Sequence, residues 1–190
     1  MRRFEVREGS NALFLFALLC SCGSSSTQSP TSDSVADDTS ASDAAPDILV
    51  GCAITLSGAL SGTFPCTASA AWATSTNKSG VGALVGNPAP LKSLQFSIVR
   101  NGKPVTGTLK SSDAGASSGW IVRDASGGQW GVRNDDAGPT GSFTLVLTQV
   151  LSTGATAGGE TFSIVGTLDA KLEPIAGGAT GSVTLHANLE

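Results

Sequence analysis

Thr161-Phe-Ser-Ile-Val-Gly-Thr-Leu-Asp-Ala-Lys-Leu172 alternates apolar and polar side chains along most of its length. Successive side chains of a β-strand point to opposite faces, so this period of two is the signature of a strand buried on one side. Phe162, Ile164, Leu168, Ala170 and Leu172 share one face. Thr161, Ser163, Thr167, Asp169 and Lys171 take the other. Gly166 inside the run predicts a bend or bulge.

The same rhythm extends outward. Phe143, Leu145 and Leu147 alternate, as do Val183, Leu185, Ala187 and Leu189, with polar Thr184, His186 and Asn188 between the latter. A shorter strand is expected near Val81–Val85. The segments 152–159 and 173–180, rich in Gly and Ala, read as connections. No segment combines a helix cap with a 3.6-residue period.

Hairpin arithmetic links the earlier strands. A turn at Gly58-Ala59-Leu60 sets Ile54 against Phe64, Leu56 against Gly62 and Cys52 against Cys66. Continuing that strand puts Ala68, Ala70 and Trp72 on the same face. Directly opposed residues lie within the Cα range a disulfide needs, so a Cys52–Cys66 bridge is expected. Asn101-Gly102 is a type I′ turn signal. It would pair Ile98 with Val105, Phe96 with Gly107 and Leu94 with Leu109. A turn at Ala125-Ser126-Gly127 opposes Val122 to Trp130 and Trp120 to Val132. About nine or ten antiparallel strands without helices must close or stack. An antiparallel β-sandwich is therefore expected, with a small β-barrel as the alternative.

Composition divides the chain into three: residues 1–21, 22–47 and 48–190. The last has 8 basic and 8 acidic residues. A formally neutral domain has no basic field for nucleic acid, so no nucleic-acid partner is expected. Its 143 residues are a typical single-domain length.

Residues 1–21 read as an export signal. A basic segment with Arg2, Arg3 and Arg7 precedes Ala12-Leu-Phe-Leu-Phe-Ala-Leu-Leu19, too short to span a bilayer. Leu19-Cys20-Ser21-Cys22 then resembles the lipobox of bacterial lipoproteins: Leu at −3, a small residue at −1, then Cys. The resemblance covers residues 1–22. It implies cleavage before Cys22, lipid attachment to the Cys22 thiol and acylation of its amine. Such multiple acyl chains hold a protein on a membrane without a spanning helix. Gly23 rather than Asp at +2 resembles the outer-membrane case in Gram-negative cells. The implied location is the cell envelope, lipid-anchored, with the membrane as partner.

Residues 23–47 carry Asp33, Asp37, Asp38, Asp43 and Asp47, with no aromatic residue and Val35 as the one large aliphatic. Such composition cannot build a core. It reads as a tether with a reach of about 25–30 Å. Cys20 leaves with the signal and Cys22 is alkylated, so Cys52 and Cys66 are the thiols left to pair.

Candidate chemistry is sparse. Gly115-Ala-Ser-Ser-Gly119 matches a nucleophile elbow, and Asp169 and His186 follow in hydrolase order. The elbow needs a strand before it and a helix after it, and neither is expected. His186 is the one histidine; alone it makes no zinc site of the usual kind. Asn134-Asp135-Asp136 and Asp113 offer oxygens for calcium, but adjacent loop carboxylates are more often solvated turn residues. No metal or cofactor is therefore called for. Trp72, Trp120 and Trp130 fall on the apolar faces of their strands, which favours core packing; Trp120 and Trp130 are nonetheless the candidate ligand platform. The functional expectation is a non-catalytic structural or binding domain in the envelope, with a glycan or protein partner. A carbohydrate-binding module and, less favoured, a hydrolase are the alternatives.

Overall fold

The computed structural model describes residues 51–135 and 138–190. The signal, Cys22, the tether and Asp136 lie outside the described residues. Thirteen strands follow one another: β1 (Ala53–Gly58), β2 (Gly62–Pro65), β3 (Thr67–Ala73), β4 (Lys78–Leu84), β5 (Ser93–Asn101), β6 (Gly107–Lys110), β7 (Ser117–Arg123), β8 (Gln129–Gly131), β9 (Arg133–Asp135), β10 (Gly138–Thr140), β11 (Ser142–Thr156), β12 (Gly159–Ala176) and β13 (Val183–Leu189). The excess over nine or ten consists of pieces of three or four residues, too short to show a period.

All ladders are antiparallel. One run of pairings is β2-β1-β13-β12-β11-β6; the other is β12-β3-β4-β5-β7-β8; β9 and β10 pair only with each other. β12 belongs to both runs. β3 pairs with it at Gly159–Phe162, whereas β8 meets it again only from Glu173. At about 3.3 Å per residue those contacts stand roughly 36 Å apart along the strand. The structure is a β-sandwich arrangement, not a closed barrel.

The core is the apolar parity of these strands. Leu168, Leu172, Val183, Leu185 and Ala187 are fully buried, beside Ile54, Leu94, Ile98, Leu145 and Val122. Each large aliphatic side chain so buried contributes about 1.5–3 kcal/mol before entropy is charged against it. β11 and β12 form a long hairpin with a two-residue turn, Ala157-Gly158. The ladder shifts register between Leu147 and Gln149, leaving Thr148 as the extra residue. Its hydroxyl donates to the Val165 carbonyl at 3.1 Å. This bulge changes the parity of β11: Leu147 is buried before it, and Val150 turns inward after it. Opposite lies Gly166, where a Cβ would stand 2.1 Å from the Val146 carbonyl oxygen. The irregularity expected at Gly166 is thus a bulge on the facing strand plus a close backbone approach.

Three expectations are corrected. Residues 152–156 and 173–176 are strand, not connection. The small residues of 152–156 show no alternation because residues 151–158 are exposed on both faces, and backbone pairing needs no pattern; 173–176 continues β12 to pair with β8. β5 does not pair across Asn101-Gly102. It pairs with β4 (Val81↔Ile98, Ala83↔Phe96) and β7 (Phe96↔Trp120, Leu94↔Val122), while Leu109 meets Leu145 on β11. Gly102 does take a left-handed turn conformation, φ 79°. The chain then crosses to the other run, leaving Val105 half exposed. The strand of Ala68 and Ala70 does not continue the first hairpin; it leaves after Cys66 to pair with β4 and β12.

Candidate functional site

The first hairpin has the expected register. Ile54 pairs with Phe64, Thr55 with Thr63 and Leu56 with Gly62. One step further, Cys66 N–H donates to the Cys52 carbonyl at 2.9 Å. The two Cα atoms are 4.9 Å apart and the sulfurs are bonded. The third hairpin keeps its turn and the pair Val122 opposite Trp130, but its ladder ends there and does not include the expected Trp120–Val132 pair. Asp124 closes its turn, accepting from Gly128 N–H at 2.7 Å and from the Ser126 hydroxyl at 2.8 Å. The Ser126 bond, joined by backbone N–H groups, holds the Asp124 carboxyl below its ordinary range.

Trp120 and Trp130 do not form a ligand platform. They are 7% and 3% exposed. Trp120 packs against Phe96 and Phe143 with ring centroids 5.5 and 6.4 Å apart. Trp130 donates its indole N–H to the Gly181 carbonyl at 2.9 Å. Their parity sends both rings into the core, as the strand period requires.

Trp72 shares that parity but lies near the end of β3, where the core runs out, and is only partly buried. Its cross-strand neighbours are Glu160 on β12 and Ser79 on β4. Its indole N–H donates to Asn77 Oδ1 at 3.2 Å. Asn77 is itself left-handed, φ 49°, in the β3–β4 turn. The Lys103 ammonium stands 4.8 Å from the Trp72 ring centroid and bonds to Glu160 Oε2 at 2.5 Å. That hydrogen bond, with a second from the Ser152 hydroxyl, holds the Glu160 carboxyl below its ordinary range. Beside this cluster a groove of about 380 Å³ opens to solvent between β3 and the outer end of the β11–β12 hairpin. Trp72, Glu160, Thr156 and Thr161 supply its larger walls; glycine and alanine supply the rest. The period hid this site, because parity alone makes Trp72 a core residue. Its place at a strand end, two residues before the chain begins to reverse at Thr74–Asn77, was the signal available.

The hydrolase constellation is brought together only in part. His186 Nδ1 and Asp169 Oδ1 lie 2.7 Å apart across β12 and β13. Ser117 is on β7, paired with Val99 of β5, and no ladder joins it to that pair. The cross-strand neighbour of His186 on its other side is Thr55, whose hydroxyl is hydrogen-bonded to Thr63. These side chains lie on an open polar sheet face. The backbone N–H groups of such interior strands are spent on ladders, so none is free to hold an oxyanion. Asp113 caps its own turn, accepting from Lys110 N–H at 2.8 Å. Among the described residues no three metal-capable side chains converge, and no helix is long and apolar enough to cross a membrane.

Comparison with protein family models, with curated proteins and with solved structures finds no match for this chain.

Proposed function

We propose that this chain is a lipid-anchored protein of the bacterial cell envelope, and that its β-sandwich domain works by binding rather than by catalysis. The observation that carries the anchor is Leu19-Cys20-Ser21-Cys22 following an eight-residue apolar run. Lipid on Cys22, a tether over residues 23–47 and a domain held off the membrane make one consistent design. A bonded Cys52–Cys66 pair suits an oxidising compartment such as the periplasm. Gly23 favours the outer membrane of a Gram-negative cell.

The experiment is metabolic labelling with an alkyne fatty acid, followed by fractionation. Cys22→Ser should abolish labelling and release the domain from membranes, and Cys20→Ser should leave both unchanged. Labelling that is lost with Cys20→Ser alone would move the attachment site. Full labelling of Cys22→Ser would end the lipoprotein proposal.

One observation favours a carbohydrate partner over a structural role. The partly exposed Trp72 borders an open groove with a charged carboxylate and two hydroxyls beside it. Catalysis has no comparable support, since Asp169 and His186 lack a nucleophile in reach of a concave site.

A further inference from the structure

The groove beside Trp72 is open, shallow and lined by both apolar and polar groups. Its 380 Å³ falls within the range of small-molecule pockets. Its floor is backbone: at Gly159 a Cβ would stand 2.2 Å from the Trp72 carbonyl oxygen, so no side chain fits there. Gly154 and Gly158 beside it leave the surface equally bare. The wall alternates apolar carbon from Ala71, Trp72 and Ala155 with acceptors from Glu160, Thr156 and Thr161.

We infer that this groove binds a neutral saccharide chain, with Trp72 and Ala155 against the C–H face of a pyranose and Glu160 accepting from its hydroxyls. The inference rests on the binding-domain proposal and names its site and ligand class. Three features select that ligand. The groove is open to solvent, which suits a unit within a chain rather than an enclosed single ring. Glu160 is kept ionised by Lys103 and Ser152, so it is an acceptor that repels anionic sugars. Lys103 and Glu160 together carry no net charge, so the site has no surplus cation for an acidic ligand. An extended peptide has no place here by strand addition. At Gly159–Phe162, β12 is already paired with β3 on one edge and β11 on the other, and β3 pairs with β4. Lys103 lies across Trp72 as a cover that can move. Its side chain is 51% exposed against 16% for Glu160, so Lys103 is the solvated, movable partner of the pair.

The test uses the detergent-solubilised full chain, titrated by calorimetry with four neutral hexasaccharides: chitohexaose, cellohexaose, maltohexaose and laminarihexaose. At least one probe should saturate. Trp72→Ala and Glu160→Gln should each weaken that binding about tenfold or more, the scale of one lost charged hydrogen bond or stacked ring. His186→Ala, on the polar face of β13, should not change it. Should Trp72→Ala fail to fold, Glu160→Gln is near-isosteric, keeps a hydrogen-bonding side chain beside Lys103 and Ser152, and carries the test alone. Failure of all four probes at millimolar concentration overturns the inference. So does binding that survives both groove substitutions. Fatty-acid labelling of Cys22 is read separately, so a labelled protein that binds no saccharide defeats the site and leaves the anchor standing.

Discussion

The indole N–H of Trp130 reaches the carbonyl of Gly181, 51 residues further along the chain, at 2.9 Å. It ties β8 to the residues just before β13. The indole N–H of Trp120, buried on the neighbouring strand, has no hydrogen-bond partner among the described residues. Two core tryptophans therefore carry opposite polar accounts. Trp130→Phe removes this bond and should destabilise the domain by about 0.5–1.5 kcal/mol beyond the loss of ring volume. Trp120→Phe removes an unsatisfied donor and should cost less. Urea unfolding of the two variants checks this order; equal losses would remove the distinction.

The Cys52–Cys66 bridge closes a loop of about 15 residues, which the chain-entropy model values at about 3 kcal/mol. A double Cys→Ala variant should melt at lower temperature yet keep its β-type far-ultraviolet spectrum, because Ile54, Leu56 and Phe64 hold the hairpin on the core independently. Loss of the β signal at room temperature would show that the bridge is needed for folding itself.

Gly166 and Gly119 separate two kinds of strand glycine. A methyl group at Gly166 would meet the Val146 carbonyl, whereas one at Gly119 meets nothing within 4 Å. Gly166→Ala should force the β11–β12 ladder apart and cost several kcal/mol, about 3 or more. Gly119→Ala should be neutral or stabilising by up to about 1 kcal/mol. Thermal melts of the two variants read the difference directly, and a well-tolerated Gly166→Ala would contradict the close approach.

The Lys103 and Ser152 hydrogen bonds lower the Glu160 pKa from its ordinary 4.5. A pKa lower in the folded state stabilises the fold above the unfolded value, and that contribution is lost as the pH falls through the folded one. Acid below about 4.5 should therefore loosen the groove before the core. In Lys103→Ala the Glu160 midpoint should rise towards 4.5, followed by carboxyl NMR titration. A midpoint indifferent to Lys103 would mean that the ion pair is not populated in solution.

Parity was legible in the sequence wherever one face is buried and the other wet. Phe143, Ile164, Leu185 and Val122 all point where alternation sends them, and short turns set the registers at Ile54↔Phe64 and Val122↔Trp130. Partnership was less legible, because alternation fixes a face and not a neighbour. Leu94, Phe96 and Ile98 would match Leu109, Gly107 and Val105 as well as the Val122, Trp120 and Val81 beside which they lie. The outer hairpin of β11 and β12 was hidden for a different reason: Ser152–Thr156 buries neither face, so pairing leaves no trace in side-chain type. The groove depends on that hairpin and on Lys103 reaching across from a loop. Contacts of that kind, 57 residues apart in the chain, have no local signal.

β12 also sets the order in which the domain can come apart. Because its 18 residues serve both runs of pairings, neither run has a complete inner face without it. Its central amides, near Leu168, should then exchange with solvent only through global opening, while those of the outer hairpin exchange through local fraying. Assembly meets the same bottleneck in reverse. β3 pairs with β4 at once but cannot find its second partner until a strand almost ninety residues later has emerged, and ladders of that span close slowly. Until then one edge of β3 is open to other chains, a hazard that makes early folding, not the finished domain, the stage most exposed to aggregation.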